Sequence, residues 1–257
     1  MKHSRAVVWT LTGLAFFVLP PVSPASDRQG EEPMQEKVAL QDKKPGTSVS
    51  IPVYRPPLRG APIGRVGGGT RGTGSDVPVL AAFVPDHIGL TTREQPSLFW
   101  FLSAPTDYVA EFTLIDDQSI QPLLEKRFDP PVQAGVHRIR IEDSVVRLST
   151  NTRYRWFVAL IVDPRHRSKD IIAGGSMEYI GLQEGLRARL AQAERSDVPN
   201  INAEAGIWYD ALSSISDLIE KSPQDPLLQE KRASLLEQVG LSEVARDMMK
   251  SSGAGGG

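Results

Sequence analysis

Gly67, Gly69 and Gly72 fall at the G-x-G-x-x-G spacing with which a dinucleotide-binding loop wraps a pyrophosphate. That chemistry needs a buried strand before the loop, a helix after it whose amide-rich end faces the phosphates, and an acidic residue about 20 positions on. Upstream, Arg55-Pro-Pro-Leu-Arg-Gly-Ala-Pro62 is too rich in proline for an interior strand, and downstream Ser75-Asp-Val-Pro78 leads into another extended run, not a helix. A Walker A loop fails as well, because Gly64 and Gly69 have its gap but Thr70-Arg71 stands where Lys-Ser/Thr must be. No nucleotide and no other cofactor is expected. The same block carries Arg55, Arg59, Arg65 and Arg71 with no acid before Asp76. Glycine amides can form a nest for an anion and guanidinium groups can grip carboxylate or phosphate through paired hydrogen bonds. Two readings stay open: an arm that orders on an anionic envelope polymer, lipid headgroup or acidic partner, with Arg59, Arg65 and Arg71 as its contacts, or a solvated linker.

A second group of charges is Asp163-Pro-Arg-His-Arg-Ser-Lys-Asp170. Asp163, Arg165, His166, Arg167 and Lys169 form either a ligand-contacting loop at the end of a β-domain or a hairpin whose aspartates pair with its own cations. Nucleophilic catalysis has little support, since there is no G-x-S-x-G elbow and no cysteine. His87, His137 and His166 lie in separate regions, so a hydrolase would need a triad assembled from distant residues. For metals, His-x-x-x-His is missing and Asp116-Asp117-Gln-Ser lacks the pattern of a calcium loop. No catalytic, cofactor or metal residue is therefore assigned. Trp100, Trp156 and Trp208 sit in apolar surroundings and are expected in the core.

Around these groups the chain has to supply elements. Met1-Lys-His-Ser-Arg5 followed by the apolar run Ala6–Leu19, Pro20-Pro21 and the small residues of Ser23-Pro-Ala25 reads as a secretory signal peptide over 1–25. The run is shorter than the roughly 20 apolar residues that span a bilayer, and no later stretch is long enough. An exported, periplasmic or extracellular protein is expected. Loss of Lys2 and Arg5 leaves 27 cations against 31 anions, a net charge of −4, which is not the balance of a nucleic-acid binder. With no cysteine, the exported chain must rely on core burial alone.

Residues 26–78 read as a disordered arm, first charged and then rich in Pro, Gly and Arg. From 79 to 180 the texture changes to short apolar or alternating runs: Val79–Val84, Ser97–Leu102, Val109–Ile115, Ile120–Phe128, Val136–Glu142, Arg153–Val162 and Asp170–Ile180. Seven such runs with turn residues between them predict an Ig-like antiparallel β-sandwich within a β-rich α+β chain. Arg153–Val162 is apolar on both faces for most of its length and is expected as a central strand covered on both sides. Ala110, Phe112 and Leu114 alternate with Glu111 and Thr113, the pattern of a strand with one wet face. Gly174-Gly175 suggests a bulge. From 181 to 250 the period is helical: Leu182, Leu186 and Leu190 recur every four residues, and the stripe from Ile201 to Ile219 predicts one helix of about five turns. Asp225-Pro226 starts another helix that stops at Gly240, and Ser242-Glu243 caps a last one. Ala211, Ala233 and Ala245 stand at tetratricopeptide-like spacings over about one and a half units, too few for a free-standing array, so a helical hairpin packed on the sandwich is expected. Residues 251–257 read as a flexible tail.

Arg59-Gly-Ala-Pro, Gly67-Gly-Gly-Thr-Arg71, Gly89-Leu-Thr-Thr92, Pro96-Ser-Leu-Phe-Trp-Phe101, Tyr154-Arg-Trp, Asp163-Pro, Arg167-Ser-Lys-Asp170 and Gly206-Ile-Trp-Tyr-Asp-Ala-Leu212 occur in this order over about residues 55–250. In this the chain resembles the family catalogued as domain of unknown function nine-two-eight, exported bacterial proteins found especially in cyanobacteria. The resemblance implies export and one shared architecture, and carries no catalytic residues. The function expected is a non-catalytic interaction module of the cell envelope that binds a protein partner, with an anionic polymer or lipid headgroup as the alternative ligand and a hydrolase as the third reading.

Overall fold

The computed structural model describes residues 50–57, 65–67 and 78–254, with backbone alone over 251–254. Eight strands are formed: β1 Leu80–Ala82, β2 Gly89–Thr91, β3 Ser97–Leu102, β4 Val109–Asp116, β5 Pro122–Phe128, β6 Gly135–Arg140, β7 Thr152–Ile161 and β8 Ile171–Tyr179. Five α-helices follow: α1 Glu184–Gln192, α2 Val198–Glu204, α3 Trp208–Lys221, α4 Pro226–Gln238 and α5 Ser242–Ala254. The strands make a three-stranded sheet, β1-β3-β6, and a five-stranded sheet, β2-β8-β7-β4-β5.

Side-chain alternation explains the layering. In β4, Ala110, Phe112 and Leu114 are fully buried while Glu111 and Thr113 on the other face are only half-buried, as the alternation predicts. All six residues of β3 are buried, because both of its faces are covered. Trp100 points toward the five-stranded sheet, where its ring meets Phe128 edge-on. Phe99, on the opposite face, lies under the Arg138 guanidinium, which is bonded to Asp217 of α3 at 2.6 Å. The protein is thus a mixed α+β fold in which both sheets and helices α2 to α5 contribute to one apolar core. Trp100, Trp156 and Trp208 are all completely buried within it.

The fold departs from the sequence expectation at several places. Residues 50–57 and 65–67, expected within a disordered arm, are held against the domain, with Tyr54 in its core, and the part expected as a helical hairpin has five helices. The strands number eight among the described residues, and β2 pairs in parallel with β8, so the sheets are not a purely antiparallel Ig-like set of seven. β7 is central, between β8 and β4, but only one of its faces is covered: Tyr154, Trp156, Val158 and Leu160 are buried, whereas Arg155, Phe157 and Ala159 on the other face stay partly open to solvent. Gly174-Gly175 makes no bulge, and β8 keeps register with β7 throughout. A Cβ on Gly174 would fall 2.2 Å from the Trp156 carbonyl oxygen, and one on Gly175 would fall 2.9 Å from Val84 Cγ2. The glycines admit close packing instead. Finally, the stripe Ile201–Ile219 is divided into α2 and α3 at Gly206, whose φ of +75° ends a right-handed helix. The later helix starts are as predicted: the Asp225 side chain accepts from Leu227 N–H, with proline following it, and α5 opens at Ser242.

Candidate functional site

The helices join the sheets through the start of α3, where three consecutive side chains each make a polar bond to the sheets. Trp208 donates its indole N–H to the Phe83 carbonyl at 2.9 Å. The Tyr209 hydroxyl accepts from Trp156 Nε1 at 3.0 Å and donates to the Ser176 carbonyl at 3.2 Å. Burial in this position pushes the Tyr209 phenol well above its usual range. Asp210, itself buried, accepts from Thr91 Oγ1 at 2.6 Å, from Thr92 Oγ1 at 2.5 Å and from Thr92 N–H at 3.1 Å. A buried carboxylate is tolerated only when its lone pairs are filled, and the short strand β2 fills them. Gly89 is required beside this joint, because a Cβ there would lie 2.7 Å from the Tyr209 ring.

A cleft of about 420 Å³ opens beside the joint. Its walls include Leu90 from β2 and Thr92 just after it, Ile180 after β8, Leu186 and Arg189 from α1, and Ile207 at the α2–α3 elbow. α1 has an acid in its first turn and a base in its last, which suits the helix dipole, but none of its residues is buried. The stripe Leu182, Leu186 and Leu190 is only half-covered. Arg189 is held across to Glu204 of α2 at 2.9 Å. The cleft is therefore lined mainly by aliphatic side chains, with the Thr92 hydroxyl, the Gln183 carboxamide and the paired Arg189 guanidinium as its polar groups. A mainly apolar concavity with a few polar groups is the usual form of a binding site.

Residues 50–57 run past the elbow, with the Arg55 carbonyl and Pro57 against Gly206 and Pro57 also in the cleft wall. Pro52 and Tyr54 are buried while Ile51 and Val53 are exposed. The Gln238 carboxamide at the end of α4 pairs with this backbone twice, accepting from Tyr54 N–H at 2.8 Å and donating to the Pro52 carbonyl at 2.9 Å. Asn200 Nδ2 donates to the Ser50 carbonyl at 3.3 Å and Arg55 N–H donates to the Ala203 carbonyl at 3.1 Å. The Tyr54 ring is edge-on to Trp208 and stacked parallel to His87, and its hydroxyl lies 2.9 Å from His87 Nε2. His87 Nδ1 lies 3.0 Å from Asp86 Oδ1, so an Nδ1–H tautomer donating to Asp86 and accepting from Tyr54 satisfies the whole chain. Burial first, then the fields of Tyr209 and Asp86, raise the Tyr54 phenol well above its usual range.

A family model described as Domain of Unknown Function (DUF928) matches residues 66–249. The chain belongs to the DUF928 family. A comparison with curated proteins gave no match. The matched region begins just after Arg65 and takes in both sheets and nearly all of the helical part, including the joint and the walls of the cleft other than Pro57.

Within this DUF928 chain the residues singled out by sequence are not gathered into one site. Arg65 donates through Nε and Nη2 to the Val84 carbonyl at 3.1 and 2.8 Å and through Nη2 to the Val239 carbonyl at 2.6 Å, so it is a cross-brace between the sheets and α4. Burial lowers its pKa, with Asp86 opposing. Gly67 has φ +71° and packs against β8, where a Cβ would meet the Ile172 carbonyl oxygen at 1.6 Å, and the neighbouring Val66 bridges to Gly174. This glycine serves a close backbone approach. Arg59, Arg71, Gly69 and Gly72 lie outside the described residues. In the 163–170 loop, Asp163 takes His166 Nδ1 at 2.7 Å and Lys169 Nζ at 3.2 Å, and Arg167 reaches Asp170 at 2.6 Å and Glu111 at 2.8 Å. Bonds from His166, Arg165 N–H and Lys169 hold the Asp163 carboxyl below its usual range. Arg165 is 89% exposed and reaches Asp163 only at 4.0 Å, the loosest of the pairs in this loop. Of the histidines, His87 and His166 have aspartate partners and His137 bonds the Gln133 carbonyl at 2.8 Å; none of these bonds involves a serine. No group of three His, Cys, Asp or Glu that could hold a metal occurs among the described residues, nor any helix long and apolar enough to cross a membrane.

Asp210, Gln238, Asn200 and Tyr54 were not found by sequence reasoning. Asp210 and its partner threonines did stand inside two motifs of the family resemblance, but nothing in their spacing showed that residues 118 or 119 positions apart would meet.

Proposed function

We propose that this DUF928 protein is an exported, non-catalytic interaction module of the bacterial cell envelope, and that it binds a protein partner in the cleft between α1 and the β2–α3 joint. The observation that carries this reading is α1 itself. It presents Leu186 and Arg189 to the cleft, and its two leucines, Leu186 and Leu190, stay half-covered, so it has no buried residue of its own. An aliphatic segment of a partner would complete the burial that α1 lacks, while the bonds at Asp210 and Tyr209 keep the opposite wall rigid. Of the charged groups singled out by sequence, Arg167 and Lys169 are engaged within their own loop and by Glu111, and Arg65 by backbone carbonyls. This weighs against an anionic polymer as the ligand.

A photo-crosslinking residue at position 186 in the native envelope tests the reading. One stoichiometric adduct is expected, lost in an Arg189→Glu background and absent when the same group is placed at position 126 on the exposed edge strand β5. Equal labelling from both positions, or none from 186, sinks it. Export has its own check: the mature N-terminus should be Ser26.

A further inference from the structure

We infer that the surface holding residues 50–57 is a peptide-recognition groove, that this segment is its resident ligand in cis, and that its ligand in trans is an extended partner segment carrying Pro-x-Tyr. The inference goes beyond the reading above, since it concerns a second surface, formed by α2, α4, Trp208 and His87 and not by α1.

The contacts are those of a receptor with a peptide. The segment forms no helix and belongs to no sheet. Its main chain is bonded instead at four successive places by groups of α2 and α4: Asn200 Nδ2 at Ser50, the Gln238 carboxamide at Pro52 and Tyr54, and the Ala203 carbonyl at Arg55. Gln238 binds the carbonyl of one residue and the N–H of the second residue after it, the two points that a neighbouring β-strand would bind. Such bonds fix an extended backbone without reading side chains, which is the division of labour in strand-like peptide recognition. Specificity comes from a pocket. Tyr54 enters between Trp208 and His87 and is held by its hydroxyl, while Pro52, two residues earlier on the same face, is buried with it. Ile51 and Val53 on the other face are each 54% exposed, so the core depends little on them.

The receptor side is built for a backbone to approach. Gly206 has φ +75°, and a Cβ there would lie 2.7 Å from the Arg55 carbonyl oxygen. Any ligand main chain following the same path needs this absence of a side chain. A single aromatic anchor with backbone bonds around it makes the segment exchangeable: a partner offering Pro-x-Tyr in extended form replaces every contact. The tether gives the resident copy a high effective concentration, so the groove is in competition between cis and trans segments.

The test uses the full chain in two forms and a fluorescent synthetic peptide with the sequence of residues 50–57. In the first form Tyr54→Ala removes the resident anchor. In the second, a protease site placed within residues 58–64 is cut in the folded protein, so that the wild-type segment becomes a separate, displaceable fragment. Fluorescence anisotropy should show saturable peptide binding to either form, at least about tenfold tighter than to the uncut wild-type chain, whose tethered segment competes. A peptide with Tyr54→Ala, or a protein with Gln238→Ala, should bind at least about tenfold more weakly, the usual consequence of losing an anchor. If Tyr54→Ala does not fold, the cut chain decides. Absence of saturable binding to a form with native circular dichroism overturns the inference, as does binding that is indifferent to the tyrosine. Both results leave crosslinking from position 186 unaffected, so a failure here is distinct from a failure of the proposed function.

Discussion

Asp210 shows what a single residue contributes. Its two oxygens accept from both threonine hydroxyls and one backbone N–H, and every one of these donors belongs to the β2 end. Asp210→Asn turns one acceptor oxygen into a donor that faces other donors. A loss of about 2 kcal/mol in unfolding free energy is expected by denaturant titration, the scale of a buried bond to a charged group. An unchanged midpoint would mean that the joint repacks freely. His137 supplies a pH signature. Its ring stacks on Trp100 with centroids 3.9 Å apart, and burial holds its pKa below the ordinary 6.5, offset in part by the bond to the Gln133 carbonyl. A base depressed in the folded state stabilises the fold fully above its unfolded pKa, and that stability is lost as pH falls toward the folded value. The melting temperature should therefore decline as pH drops below about 6.5, and His137→Phe, which keeps a ring over Trp100, should flatten that part of the profile. Superimposable profiles would contradict the assignment. At this scale the sequence marked the histidines and the tryptophans, but not which of them would be desolvated, because burial is a property of neighbours far away in the chain.

At the scale of elements, local signals decided most boundaries. Ser97–Leu102 is predicted and found without change, and the Asp225-Pro226 start is set by a cap bond that spans two residues. Two elements escaped. β2 is only three residues long and pairs in parallel with β8 about 88 residues away, so no hairpin signal announces it. The division of α2 from α3 was hidden because the apolar stripe continues in period across Gly206; what divides them is the left-handed backbone there, where the Arg55 carbonyl stands against the place of a Cβ. This gives a paired prediction. Gly240, at φ +76°, has open space around its missing Cβ, whereas Gly206 at φ +75° does not. Gly240→Ala should cost about 1 kcal/mol for the left-handed backbone alone. Gly206→Ala should cost clearly more, with faster hydrogen exchange at the Arg55 amide. Equal losses in the two variants would remove the close approach as the reason for glycine at the elbow.

For the molecule as a whole, the segments 50–57 and 65–67 join parts that local sequence treats as separate. Arg65 reaches Val84 after β1 and Val239 after α4, and Tyr54 reaches His87 and Gln238. Arg65→Ala leaves both carbonyls without this donor, and a stability loss of about 2 kcal/mol is expected, with increased exchange at both strand and helix ends. Arg65→Lys should recover only part, since an ammonium cannot span both carbonyls as the guanidinium fork does. Full recovery by lysine would point to charge, not geometry, as its role. What the sequence by itself determined is the succession of textures: a β-rich region followed by helices, the alternation that gives β4 its wet face, and the caps that start the late helices. These are local effects of periodicity and of backbone preference, so they can be read in a window of a few residues. Only the tertiary structure decided that Asp210 meets Thr91, that Arg65 is a brace, and that a proline-flanked tyrosine lies in a groove between sheet and helices. Each of these rests on a contact between residues tens to nearly two hundred positions apart, and no local preference encodes the partner of such a contact.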